Sequence, residues 1–171
     1  MNWEAIGALS DMIGAIAVVV SLIYLAVQIR QGTQSIQSST HQSNTALFSS
    51  MFSQLADPEV AAAYSIGLTG SPNIKPKQYT QFFLICRGLF VSFENQYFQF
   101  GQGMIDADVY RGYERSICQQ LLAFRGFRIW WKQSRDVFSP QFVDYVDQLI
   151  ERTPVYEASH MIEEWKRLGS E

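Results

Sequence analysis

Apolar residues fall along this chain in two regimes: one long uninterrupted block near the start, then a spaced pattern that lasts to the end. From Ile6 to Ile29 the only polar side chains are Ser10, Asp11, Ser21, Tyr24 and Gln28, and the inner stretch Met12–Val27 carries no charge. A helix rises about 1.5 Å per residue, so this block is long enough to cross a hydrocarbon layer of about 30 Å. Trp3 at one end, Tyr24 near the other and Arg30 beyond it suit the two membrane interfaces. The block predicts one N-terminal transmembrane helix, with residues 1–29 as the anchor.

Residues 30–45 are almost wholly polar, with Ile36 the lone large apolar side chain. They predict a stalk continuing the anchor helix, or a flexible linker. Gly32 and the Ser/Thr content weaken the helix, whereas no proline breaks it. Apolar spacing resumes at Ala46, Leu47, Met51, Phe52 and Leu55, so residues 46–171 are expected to form the helical domain.

The strongest periodic segment runs from about Lys77 to Phe100. Tyr79, Phe82, Phe83, Cys86, Leu89, Phe90, Phe93, Tyr97 and Phe100 recur at intervals of three or four or as adjacent pairs, a wide aromatic stripe that other helices must cover. Val109, Tyr113, Ile117 and Leu121 predict a second helix, and Phe142, Val143, Val146, Leu149 and Ile150 a third. Met161, Ile162, Trp165 and Leu168 predict a shorter last one. Asp57-Pro58, Ser139-Pro140 and Thr153-Pro154 each place a capping side chain before a proline suited to the first helical position, and Asp106 is a fourth expected cap. No segment alternates with period two. The expected fold is all-α: one transmembrane helix, a polar stalk, then a bundle of roughly four or five helices.

Composition narrows the function classes. A chain of 171 residues supports one domain with a real core, and 47% apolar content is too high for a disordered tail. The net charge of -3 argues against a nucleic-acid partner, which calls for a basic excess. Cys86 and Cys118 lie among apolar residues with no metal or redox spacing and read as small buried hydrophobes, although a disulfide between them is geometrically open. A cleaved signal peptide would call for Lys or Arg before the apolar run, and none precedes Arg30; Ala26-Val-Gln28 is the one stretch resembling a cleavage site. Arg30 after the span favours a cytoplasmic C-terminal domain.

Small residues recur along the anchor. Gly7, Gly14 and Ser21 are seven apart, with Ser10 and Ala17 near the same face and Asp11 beside them. Such a stripe lets helices approach closely. A carboxylate at Asp11 belongs at the membrane edge, against another helix, or in a polar cavity.

The run Gly14-Ala-Ile-Ala-Val-Val-Val-Ser-Leu-Ile-Tyr-Leu-Ala-Val-Gln-Ile-Arg-Gln31 resembles the opening of a large group of short bacterial single-pass membrane proteins without an assigned activity. Phe93-Glu-Asn-Gln-Tyr97, Gly103-Met-Ile-Asp106, Trp130-Trp131 and Phe138-Ser-Pro-Gln-Phe142 are similar to later parts of the same group. The resemblance implies a bacterial inner-membrane setting and a helical domain, and it transfers no functional residue.

Candidate chemistry is sparse. Glu94 sits inside the aromatic helix and is expected to form a buried ion pair with Arg87, with Arg125 and Arg128 as further possible partners; unpaired, it would be a candidate acid or base. Asp106, Asp108 and Glu114 read as capping and solvated groups. His41 and His160 have no ligand-spaced histidine or cysteine, and Glu157-Ala-Ser-His160 is a single copy of a motif that a carboxylate-rich metal site would need repeated. No nucleophile elbow or phosphate loop occurs, so no catalytic, cofactor-binding or metal residue is assigned. Arg125, Arg128, Lys132 and Arg135 fall at helical spacing among Phe124, Phe127, Trp130 and Trp131, a basic face that could rest on anionic lipid. The leading expectation is a non-enzymatic, membrane-anchored interaction module, a homo-oligomer or one bound to a membrane partner. The alternatives are a homo-oligomeric pore lined by Gly7, Asp11, Gly14 and Ser21, and an enzyme using Glu94.

Overall fold

The computed structural model describes residues 3–157 and 159–170, with side chains from position 12 onward except at 13, 34, 40, 41, 47, 51, 160 and 161. It is helical throughout, with no strand among the described residues beyond an isolated bridge between Phe124 and Tyr156. Helix α1 (Trp3–Gln54) is followed by α2 (Pro58–Thr69), α3 (Pro76–Gly101), α4 (Ala107–Ile117), a π-helical turn (Cys118–Leu122) and α5 (Arg125–Ser134). A 3-10 turn (Arg135–Val137), α6 (Pro140–Arg152) and α7 (His160–Leu168) complete the chain. The chain divides into two compact units, Met1–His41 and Gln42–Glu171, and α1 contributes to both.

The first unit is a single helix whose described apolar side chains are exposed. Met12, Val20 and Ile29 keep 55%, 59% and 63% of their surface exposed. The helix meets its own polar needs: the Ser21 hydroxyl donates to the Ala17 carbonyl at 2.8 Å and Thr33 to Ile29 at 3.0 Å. The polar stretch 30–45 lies entirely within α1.

The second unit is organised around α3. Pro76 opens the helix, and the Lys75 amide donates to Gln78 Oε1 at 3.1 Å. The middle of the predicted stripe is the core: Phe82, Cys86, Leu89, Phe90 and Phe93 are buried against Phe127, Trp130, Trp131, Phe138 and Phe142, whereas Tyr79 and Phe100 at its ends are exposed. The rings of Phe90 and Trp130 lie 5.0 Å apart and those of Phe93 and Phe142 5.4 Å, within the range where aromatic pairs add to simple burial. Where α2 meets α5 the backbones nearly touch. A Cβ at Gly126 would stand 1.7 Å from the Gly67 carbonyl oxygen, and one at Gly67 would overlap the Phe82 ring.

Two of the expected caps act as such. Asp57 accepts from the amides of Glu59 (2.8 Å) and Val60 (3.2 Å), and Asp106 from Asp108 (2.8 Å) and Val109 (3.4 Å). Ser139 does stand at the N-cap of α6, but its hydroxyl makes no capping bond. Thr153-Pro154 starts no helix. Its hydroxyl turns back to the Leu149 carbonyl at 2.6 Å, the chain beyond is extended so that the Tyr156 amide donates to Ala123 O at 2.8 Å, and the last helix begins only at His160.

Candidate functional site

The sequence of α3 holds a second pattern beneath the aromatic one. Gln81, Leu84, Gly88, Val91, Asn95 and Phe98 are spaced by three, four, three, four and three, so they form a second stripe on another side of the helix. A helix apolar on one side needs one set of neighbours; α3 calls for a second. In place of close packing, this side faces a cavity of about 1320 Å³.

Its walls come from four segments of the second unit. Phe48, Phe52 and Leu55 at the end of α1 form one side, Val60 and Tyr64 of α2 another, and Tyr113, Ile117 and Leu121 of α4 and the π-helical turn a third. Asn44, 1% exposed, donates to Gln99 Oε1 at 3.3 Å and ties the end of α1 to α3. The π-helical turn shifts the register of this segment, so that Leu121, Leu122, Ala123 and Phe124 are all buried in succession.

Polar side chains such as Gln54, Gln81, Asn95 and Gln120 also line the walls, although most of the wall surface is apolar. Gln96 is fully buried; its Nε2 lies 3.5 Å from Ser92 Oγ, and its Oε1 has no partner. Tyr64 is a neutral phenol, its pKa pushed up to about 12 chiefly by burial. Glu94 also lines the cavity, and its carboxylate accepts the Ser139 amide at 2.8 Å, at the start of α6. That is a different partner from the one expected: Arg87 lies over the Phe138 ring, 4.9 Å from its centroid, and no ion pair joins it to Glu94.

The basic quartet is not one free face. Arg128 is partly buried: Nε donates to the Leu122 carbonyl at 2.6 Å and Nη2 to the Thr153 carbonyl, closing two helix ends that would otherwise lack donors. Arg135 pairs with Asp147 at 2.7 Å, and Asp147 also accepts from Trp131 Nε1 at 2.7 Å. Arg125 and Lys132 are exposed. On the anchor, Gly14 has open space around it and Ser21 is exposed, while the side-chain positions of Gly7 and Asp11 lie outside the described residues, as do those of His41 and His160.

One group that sequence reasoning passed over is Glu114, read as solvated. Tyr145 donates to it, Arg152 pairs with it, and Tyr110 donates to Tyr145 at 3.0 Å. Burial, then the bond to Glu114, raises the Tyr145 pKa, and burial pushes that of Tyr110 up to about 12. The partners stand 31 and 38 residues away on α6, so no local signal could have found them. Cys86 and Cys118 are both free thiols, and burial pushes the Cys86 thiol up. Among the described residues no three His, Cys, Asp or Glu side chains gather as a metal site. The arrangement offers a large, mostly apolar recess with a few fixed polar atoms, suited to binding. No family model, curated protein or solved structure matches the chain.

Proposed function

We propose that this chain is a single-pass protein of a bacterial inner membrane, held by the apolar part of α1, whose domain acts by association and not by chemistry. The domain, a helical bundle over 46–171, stands on the cytoplasmic side. Association runs through the anchor, between copies or with a membrane partner, along the face bearing Gly14 and Ser21 and, in the sequence, Gly7 and Asp11.

One observation carries this reading. The most apolar stretch of the chain is left uncovered, with Val18, Leu22 and Ile23 about 60% exposed. A helix buried in a soluble core would show the opposite, and exposed apolar area costs about 25 cal/mol per Å² in water. The Ser21 hydroxyl is already satisfied within the helix, so hydrocarbon around it strands no donor. Of the basic quartet, Arg125 and Lys132 remain exposed for contact with anionic lipid.

Alkaline carbonate washing of membranes tests the anchor. The full chain is expected to stay in the pellet with its N-terminus intact; release into the supernatant, or a mature N-terminus beyond Ala26, overturns it. The detergent-solubilised chain is expected to be larger than a monomer, and Gly14→Leu with Ser21→Leu to reduce it to one. A wild-type monomer without a co-purifying partner removes the association.

An enzyme using Glu94 is the second reading, because Glu94 lines the cavity and has no arginine partner. It stands second because the carboxylate is engaged at the start of α6. Glu94→Gln, which keeps an acceptor oxygen, would abolish such an activity and leave a binding function intact.

A further inference from the structure

A second, smaller hollow of about 370 Å³ opens where α4, the π-helical turn and the end of α6 meet, and arginines set its character. Arg111 and Arg115 stand one turn apart on α4, so they share a face, and Arg152 comes from the last turn of α6. Among the described lining residues the one acid is Glu114, so the hollow carries a net charge of +2 in a chain whose net charge is -3. That acid is already engaged: it accepts from Tyr145 and pairs with Arg152 at 2.5 Å. Arg115 has no ion pair or side-chain hydrogen bond among the described residues. Arg111 pairs with Asp108, but both are exposed, and such a surface pair is easily given up. Arg152 gives Nη2 to Glu114, which leaves most of its five N–H donors for another acceptor. The frame around these cations is fixed. Tyr145 and Arg152 bind α6 to α4 through Glu114, Arg128 holds the Thr153 carbonyl, and the Tyr156 amide donates to Ala123 O at 2.8 Å.

We propose that this hollow binds a phosphomonoester, carried by a small soluble molecule or by a lipid headgroup of the phosphatidic acid kind. Charge selects the dianion. A carboxylate offsets one of the two excess cations, whereas a phosphomonoester carries about -1.5 to -2 at neutral pH and offers three terminal oxygens to three guanidiniums. A phosphodiester, with one negative charge and two free oxygens, matches less well. Arginine supplies the planar fork that such oxygens fit, where lysine would supply a point charge. The volume lies near the lower end of the roughly 300–1,000 Å³ of small-molecule sites, which suits a headgroup-sized ligand. The inference stands on the second unit alone and does not need the anchor to cross a membrane; loss of carbonate resistance would remove that reading and leave this one.

The test uses the full chain in a non-ionic detergent and follows alkylation of Cys118, a free, half-buried thiol in the lining, with buried Cys86 as the internal control. The probes are glycerol 3-phosphate and phosphatidic acid. At ten times the dissociation constant the unoccupied fraction, and with it the labelling rate at Cys118, should fall about tenfold. Protection by glycerol 3-phosphate assigns a soluble ligand; protection confined to phosphatidic acid assigns the headgroup. Phosphatidylglycerol, a phosphodiester, and acetate at matched ionic strength should protect far less. Arg115→Gln removes an exposed side chain without a partner to lose, so the fold is kept and the probe concentration for half-protection should rise about tenfold, the worth of one charged hydrogen bond. Arg125→Gln, an exposed arginine on α5, should leave it unchanged. The rise of Tm with each probe, which does not involve the thiol, should follow the same order. Acetate or phosphatidylglycerol protecting as well as the phosphomonoesters overturns the inference, as does protection undiminished by Arg115→Gln, or the absence of both protection and a Tm rise. Protection by a single-stranded oligonucleotide with none from either phosphomonoester also overturns it, since a nucleic acid would then be the occupant.

Discussion

Replacing Gln96 by leucine should make the protein more stable. The side chain is fully buried, its oxygen is unpartnered, and its amide nitrogen meets Ser92 at the outer limit of a hydrogen bond. A buried unsatisfied acceptor costs about 1–3 kcal/mol, whereas a bond as long as the one to Ser92 returns less than the roughly 1 kcal/mol of a good one. Leucine has a similar volume and adds apolar contact, so the net gain is about 1–2 kcal/mol. For a domain of this size each kcal/mol moves the midpoint by roughly 3–5 °C, so Tm should rise by about 5 °C. Thermal unfolding of the full chain followed by tryptophan fluorescence is the assay, because Trp130 and Trp131 are 2% and 1% exposed and sense the core directly. Gln96→Met, closer in shape, should behave alike. If both substitutions lowered Tm by 3 °C or more, the oxygen would have to be engaged in a strong bond, which would refute the reasoning.

Three further outcomes follow from the packing. Gly126→Ala drives a methyl into the Gly67 carbonyl and should cost about 3 kcal/mol or prevent folding, while Gly112→Ala, in open space inside α4, should gain about 0.5–1 kcal/mol; thermal unfolding separates the two. Glu94→Gln should lower stability by about 1 kcal/mol by weakening the charged bond at the start of α6, whereas Ser139→Ala should be neutral or slightly stabilising, because that hydroxyl is buried without a partner; a large loss in Ser139→Ala would mean that serine is the cap after all. Tyr64, raised from the ordinary 10.0 to about 12, is neutral in both states below pH 10; above it the unfolded phenol ionises first, so stability falls between about pH 10 and pH 12. Tyr64→Phe should flatten that alkaline fall, and an unchanged profile in a pH titration of Tm would refute the assignment.

The sequence foretold α3 almost to its ends, because a stripe of nine apolar residues leaves helix as the single arrangement that puts them on one side. Asp57 and Asp106 were legible for a similar reason: capping is a local matter between a carboxylate and amides two and three residues on. Ser139 and Thr153 carry the same local signature, and both fail as side-chain caps. At Ser139 the fold supplies a carboxylate from Glu94, 45 residues away, to that residue's own amide, and the segment after Thr153 is held extended by the bond from Tyr156 to Ala123. Arg128 looked like a surface cation until the fold brought two orphaned carbonyls to it. The cavity was hidden for a different reason. Leu84, Val91 and Phe98 were outshone by the aromatic stripe, and whether a second apolar side is covered or left open depends on how the end of α1 lies against it.

The bare contact between Gly67 and Gly126 settles where this domain can give. Side chains yield under load by changing rotamer; two backbones pressed together cannot. Helices α2 and α5 are therefore clamped without slack, and α3 is pinned to them through Phe82 and the rings around Phe127. Compliance is left to the opposite wall, where the end of α1 leans on α3 and α4 through the Phe48 ring and the Asn44 amide. A guest larger than the recess would press on that wall, working against contacts that include the Asn44–Gln99 hydrogen bond and the Phe48–Tyr113 ring contact. The end of α1 is thus the part of the wall best placed to shift, while α2, α3 and α5 hold their positions.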